Sequence, residues 1–460
     1  MACWIQQVII FCLVIAIILV HAAPAMAQSK PGAMNLIRDA ETEANLKKLI
    51  FPILDVAGVD HGAFRLMIVQ DDTLNAFVAG GQNIFINTGL LVRSESYSQL
   101  MGVIAHETGH IIGGHLARSQ QALNDLSNEA ILMQILAAAA MALGRGDAGA
   151  AAMGAGAQYF QRNILAFTRT QERSADQAGI EFLKELNVSP QGLLDFFKIL
   201  KQEQKIYIDN KTNPYLLTHP LTDERIDAIA SFIKQSGESA KPDNDAEWTD
   251  AHKRIRAKLS GYLLSPQRVM QTYPTTDNSL YARYARAIMN YKQGNIDAAI
   301  QSINQLINEY PDDPYFYELR GDIYLNGGDA KKYVDRYIAD YEKALLLAPD
   351  QPLIRLGLVA ALIESGRDAD IKKAIPHSQE VLRQEPRYGL AWRMESIVQG
   401  KSGNIGKSAL ALSEMALLQG DKKRAKQQAE RAMALLKSDP AAKQRAEDIK
   451  NQIQIDEKKS

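Results

Sequence analysis

Two histidines four residues apart with a glutamate beside the first, His106-Glu107-Thr108-Gly109-His110, are the residues best placed to do chemistry. They lie in a stretch, Tyr97 to Gln120, with helical periodicity, where positions i and i+4 share a face. On that face both imidazoles can offer a ring nitrogen to one ion. Glu107, about one residue of rotation away, can reach a water on that ion. The chemistry this spacing predicts is hydrolysis by a water activated on one Zn2+ per chain, with Glu107 as the general base. Two histidines with no metal between them are the alternative. Histidine is scarce, 8 in 460 residues, so the pair does not arise from richness in that residue.

A third protein donor is needed, because a catalytic zinc keeps one position open. His115 is nearest in sequence, but on a continuous helix it points near the side opposite His106, which makes it a surface or second-layer residue. Glu172 is the better candidate. It shares a helical face with Asp176 in Arg169-Thr-Gln-Glu172-Arg-Ser-Ala-Asp176, and Ala175, Ala178 and Gly179 permit close packing. Asp176 can then hydrogen-bond the second nitrogen of a ligating histidine and fix its tautomer. A solvated charged face, with Arg169 and Arg173, is the competing reading.

The elements that position these groups are legible in outline. A helix is expected from Ala33 to Pro52. Strands are expected at Phe64–Val69, Leu74–Val78 and Ile84–Asn87, forming a small meander with glycine turns, in which Gln82 to Asn87 is an edge able to pair with an extended substrate. Further helices are expected over Gln158–Leu186, from Pro190, over Asp223–Gln235 and over Trp248–Leu263, with a loop at 209–223 and an exposed linker at 236–245. The apolar, small-residue region 129–157 is short for a bilayer span and reads as a lid, a core helix or a helix in peripheral contact with a membrane.

Beyond Pro274 a period of about 34 residues appears, marked by Gly294-Asn295, Gly328-Asp329, Gly366-Arg367, Gly403-Asn404 and Gly420-Asp421, with helix-closing Pro311, Pro349, Pro386 and Pro440. This resembles tetratricopeptide repeats, in which helical pairs stack to bury what one pair leaves exposed and form a concave groove. Asn451 to Ser460 reads as a polar, frayed tail.

Val8 to Val20 is an apolar run followed by Pro24-Ala25-Met26-Ala27, the pattern of a secretory signal peptide ending at Ala27; an uncleaved anchor is the alternative. Both cysteines, Cys3 and Cys12, lie within it, so disulfides and a thiol nucleophile are not expected in the remainder. Lys plus Arg is 52 and Asp plus Glu 53, a net charge of -1, which gives no pull toward nucleic acid.

With His106-Glu107-x-x-His110 followed by Glu172-x-x-x-Asp176, residues from about 60 to 235 resemble the M48 metallopeptidases. The upstream Asn75-Ala-Phe-Val, Gly81 and Thr88-Gly89-Leu90 are similar to that family's strand-and-turn segment. The resemblance implies zinc ligation by His106, His110 and Glu172, Glu107 as base and Asp176 in support. Thr218-His219-Pro220 with Arg225 matches a later family segment. His219 is then a candidate fourth ligand that plugs the open position, and Arg225 a candidate contact to the substrate carbonyl or oxyanion, with a structural salt bridge as its alternative. The expected architecture is mainly α: signal peptide 1–27, a zincin-like metallopeptidase domain with a small β-sheet at 28–263, and a tetratricopeptide α-solenoid at 264–460. Signal, peptidase and repeats together are similar to a periplasmic group of that family. This implies a zinc endopeptidase with chaperone activity that acts on misfolded or unassembled outer-membrane proteins and meets the barrel-assembly machinery through the repeat groove. A periplasmic chaperone or adaptor scaffold with a latent or structural metal site is the alternative.

Overall fold

The computed structural model describes residues 34–119, 121, 168–206, 214–236 and 244–459. The signal segment, the 129–157 region and most of the 236–245 linker lie outside the described residues. Residues 1–36 form a unit separate from 37–460. Of the first unit, 34–36 are described and solvent-exposed. Among the described residues no helix is long and apolar enough to cross a membrane.

The chain is mainly helical, with one small mixed sheet near its start. β1 (Leu36–Ile37), β2 (Arg65–Val69), β3 (Ala76–Ala79) and β4 (Asn83–Asn87) are ordered β1-β2-β4-β3. β4 pairs antiparallel with β3, Phe77 opposite Phe85, and parallel with β2, Met67 opposite Phe85. The expected meander is therefore corrected. The sequence suggested neighbours in chain order, but β4 inserts between β2 and β3, where its Ile84 and Ile86 are fully buried. The strand expected at the edge is therefore interior: β4 has partners on both sides, and β1 and β3 are the outer strands.

α1 spans Ala40–Ala57 rather than 33–52. Asp39 caps its start, accepting from Thr42 N at 2.7 Å. Pro52 stays inside, and the helix ends at Gly58, whose φ of 66° no branched side chain adopts easily. α2 (Thr88–Arg93) and α3 (Tyr97–Ile112) follow. Leu100, Met101, Val103, Ile104 and Ala105 of α3 are all fully buried, so this helix runs through the core rather than over it. Residues 168–185 form α4. α5 (Gln191–Ile206), α6 (Pro214–Thr218), α7 (Asp223–Ser236) and α8 (Ala246–Leu263) close the first half. The loop expected at 209–223 thus contains a helical turn.

α8 contributes Leu259 to the first core and Ala257 to the second. Its polar face meets α1 in a buried ion network. Glu41, 0% exposed, accepts from Arg254 Nε at 2.5 Å and Tyr284 Oη at 2.6 Å. Arg254 Nη1 reaches Asp313 at 2.6 Å, and Lys258 reaches Asp39 at 2.7 Å.

From α9 (Pro266–Thr272) the chain is a run of helical pairs: α10 (Leu280–Lys292), α11 (Ile296–Glu309), α12 (Pro314–Asn326), α13 (Val334–Leu347), α14 (Pro352–Glu364), α15 (Asp368–Gln384), α16 (Gly389–Lys401), α17 (Ile405–Leu418), α18 (Lys422–Leu435) and α19 (Pro440–Lys459). Pro440 opens α19 instead of closing α18, since proline's missing N–H costs nothing in a first turn. The frayed tail is also corrected. α19 continues to Lys459 because Ile449 and Ile453, one helical turn apart, are fully buried beside Ala446, Ala425 and Ala429.

Candidate metal centre

Three elements converge on one point. α3 carries His106, Glu107 and His110, α4 carries Glu172 and Asp176, and the residue after α6 is His219. α3 and α4 approach closely because two glycines lack side chains. A Cβ on Gly109 would lie 2.8 Å from the Ala175 carbonyl oxygen, and one on Gly179 would lie 3.0 Å from His106 N. This closeness brings carboxylates from one helix to imidazoles on the other.

One donor atom each from His106, His110, Glu172 and His219 lies within 4.8 Å of the others. His106 Nε2 and His110 Nε2 are 3.1 Å apart, and each is 3.4 Å from a Glu172 oxygen. His219 turns Nδ1 to the cluster, 3.1 Å from Glu172 Oε1 and 3.5 Å from His106 Nε2. Its Nε2 faces Glu107 Oε1 at 3.6 Å. Asp176 Oδ1 sits 2.9 Å behind His106 at Nδ1, an approach not well aligned for a hydrogen bond.

Burial disfavours charge on the His106 ring, yet the Asp176 and Glu172 carboxylates raise it to about 9. Burial, reinforced by the charge on His106, pushes His110 down to about 2. Burial would raise Glu172, but hydrogen bonds from His106 and His219 hold it below the usual carboxylate range. The four side chains thus turn ring nitrogens and an ionised carboxylate toward one point. Burial also pushes the Glu107 carboxyl up. Glu107 is 1% exposed, and among the described residues neither oxygen has a hydrogen-bond partner. A buried carboxylate without a partner is costly. A cation with its water beside Glu107 removes that cost, so three imidazoles, one carboxylate ligand and this orphaned base fit a divalent zinc-type ion.

Arg225 (α7) is held in ion pairs: Nε and Nη2 each donate to Asp176 at 2.7 Å, and Nη1 meets Pro220 O at 3.1 Å and Glu172 Oε2 at 2.9 Å. It lies 4.7 Å above the Phe197 ring. The salt-bridge alternative is the geometry present. His115 lies behind His110, the second-layer place expected of it, but not by the expected route: α3 stops at Ile112 and does not carry it to the far side, and its Nδ1 is 3.0 Å from His110 Nδ1. Sequence reasoning also passed over Phe197 and Tyr215. The Tyr215 ring lies 4.7 Å from that of His219, and its i, i+4 spacing to His219 was the available signal.

A cleft of about 880 Å³ opens beside the cluster, lined among others by Phe77, Val78, Glu107, His110, Leu116 and His219. A clustered His/Glu site in such a cleft is consistent with metal-dependent catalysis.

Residues 16–233 match the model of Peptidase family M48. The chain carries an M48-peptidase domain. A tetratricopeptide-like α-solenoid follows it, and the two together are related at family level to β-barrel assembly-enhancing proteases. The "Beta-barrel assembly-enhancing protease" of Yersinia pestis is 27% identical over 326 residues, 66% of this chain and 62% of that protein. The protein of the same description from Escherichia coli (strain K12) is 23% identical over 340 residues, 73% of this chain and 68% of the relative. The match thus spans less than two thirds of the first relative's length. A tetratricopeptide repeat protein structure from Parabacteroides merdae ATCC 43184 aligns with a TM-score of 0.28 at 15% identity, covering 55% of this chain and 97% of that one. The repeat assignment rests on this chain's own helical pairs.

Proposed function

We propose that this chain is a zinc-dependent endopeptidase with chaperone activity, acting in the periplasm on misfolded or unassembled outer-membrane β-barrel proteins. The observation that carries the peptidase reading is the convergence of His106, His110 and Glu172 on one point with the buried, unpartnered Glu107 carboxylate beside it. The barrel-assembly setting is drawn from the relatives' description.

His106, His110 and Glu172 would hold a zinc ion, which would supply a water of lowered pKa and a Lewis acid for the scissile carbonyl. Glu107 takes the proton of the attacking water and returns it to the leaving amine. β3, the outer strand next to β4, lends Phe77 and Val78 to the cleft wall and offers its backbone to an extended segment. Selection is then for unpaired strands over folded domains. Asp176 and Arg225 hold the ligand set in place. The solenoid groove engages the barrel-assembly machinery or its unfinished clients.

His219 stands where a fourth ligand would stand. That favours a resting state in which it plugs the open position. It also keeps alive a second reading, a chaperone or adaptor scaffold whose metal site is latent. Cleavage of an unfolded outer-membrane β-barrel protein by the full chain, with and without a chelator, tests the proposal. Cleavage should stop with chelator and in Glu107→Gln while that variant keeps its zinc. Cleavage by Glu107→Gln at the wild-type rate would refute the base. Full in vivo function of that variant would favour the scaffold.

A further inference from the structure

The two imidazoles on α3 are backed differently. His106 has the Asp176 carboxylate behind its Nδ1 at 2.9 Å. Behind His110, among the described residues, no carboxylate approaches to ion-pair distance at Nδ1; there the partner is another imidazole, His115, with Nδ1 facing Nδ1 at 3.0 Å and the rings at 80°. A contact between two ring nitrogens at that distance needs one N–H and one lone pair. The cluster side of His110 is fixed, because Nε2 points at His106 and Glu172. For Nε2 to give its lone pair to an ion, the proton of the neutral ring must sit on Nδ1. His110 then donates, and His115 Nδ1 accepts.

The backbone is built to hold that acceptor. Gly114, at φ +59, turns the chain back after α3, which returns His115 toward a residue that a continuous helix would carry it away from. Gly113 leaves room for the ring: a Cβ there would fall 2.3 Å from His115 Nε2. The returning backbone is tied to α4, where Gln171, the residue before Glu172, donates Nε2–H to the His115 carbonyl at 3.1 Å and accepts from Ser119 Oγ at 3.0 Å. The helix that supplies the third ligand therefore also fixes the acceptor behind the second. His115 itself is 4% exposed.

We infer that His115 is a positioning residue that accepts the Nδ1–H of His110 and so holds His110 in the tautomer that binds the ion. The inference rests on the metal reading above. It assigns no ligand role to His115, whose contact is with the side of His110 away from the ion.

The test is zinc affinity of the full chain, by competition against a chromophoric chelator, with cobalt substitution as a second readout. His115→Phe fills the space without an acceptor; Gly113→Ala keeps the imidazole but displaces it; His115→Asn restores an acceptor. Second-sphere partners of this kind contribute about 10–100-fold in metal affinity. The expected result is a loss of that size in His115→Phe and Gly113→Ala, partial recovery in His115→Asn, and altered visible bands of the cobalt form. If the variants fail to fold, nitrogen-15 shifts of the histidines in the zinc-loaded wild type decide: His115 should be neutral with its proton on Nε2. Wild-type affinity and cobalt bands in folded His115→Phe, or a proton on His115 Nδ1, would overturn the inference. A wild type that binds no zinc would instead bring down the metal reading itself.

Discussion

His219 and Glu107 face each other across 3.6 Å, Nε2 to Oε1, beside the point where the ligands converge. With Nδ1 of the same ring turned to Glu172, one side chain stands against both the open coordination position and the base. His219→Ala should therefore raise basal peptide hydrolysis while zinc per chain stays at the wild-type level. Unchanged hydrolysis with intact zinc content would count against a plug.

Close approach of α3 and α4 depends on Gly109. The atoms that a Cβ would meet, Ala175 O at 2.8 Å and Ala175 Cα at 3.0 Å, are backbone and cannot swing aside. Gly109→Val should cost about 1–3 kcal/mol of stability by overpacking, and should weaken zinc binding by parting Glu172 from His106. Thermal unfolding alongside the chelator competition checks it. A stable variant with undiminished affinity would show that the helices tolerate separation.

Glu41 is the acid at the centre of the network between α1 and α8. Removing one partner of a buried ion pair leaves charge uncompensated, so Glu41→Ala should cost roughly 3 kcal/mol or more. Glu41→Gln, which keeps the hydrogen bond to Tyr284, should lose less. Denaturant midpoints for the two variants give the comparison, and equal midpoints for Glu41→Ala and wild type would contradict it.

His252 is buried against Ser94 Oγ at 2.9 Å, and burial, with Arg256 and Lys253 nearby, pushes its pKa down to about 3. Its folded pKa is thus below the unfolded value of about 6.5. The unfolded chain binds the proton first, so this residue's share of stability is present above about pH 6.5 and is lost as pH falls toward 3. The melting temperature of His252→Gln should fall less between pH 7 and pH 4 than that of the wild type. Parallel curves would remove His252 as a cause.

What could be read from sequence followed the range of the physics involved. The i, i+4 geometry of His106 and His110 is a property of one helix, and the glycine-punctuated helical pairs from Gly294 onward are equally local. β4 between β2 and β3 is not, because a parallel partner is chosen by the whole core. Arg225 shows the same limit: its charge and a salt bridge are legible, but not that its partners are Asp176, Glu172 and the Pro220 carbonyl. His115 reaches the second layer by a route that helical periodicity does not give, because α3 ends at Ile112 and Gly114 turns the chain back. Ile449 and Ile453 carried a helical spacing that the polar composition around them obscured.

The central claim is that one divalent ion is held between α3 and α4. Zinc per mole of purified full chain, measured by elemental mass spectrometry for wild type and for His106→Ala, tests it most directly. The account predicts one zinc per chain in the wild type and a large loss in the variant. A wild type purified without chelator, offered zinc, and still empty would contradict it.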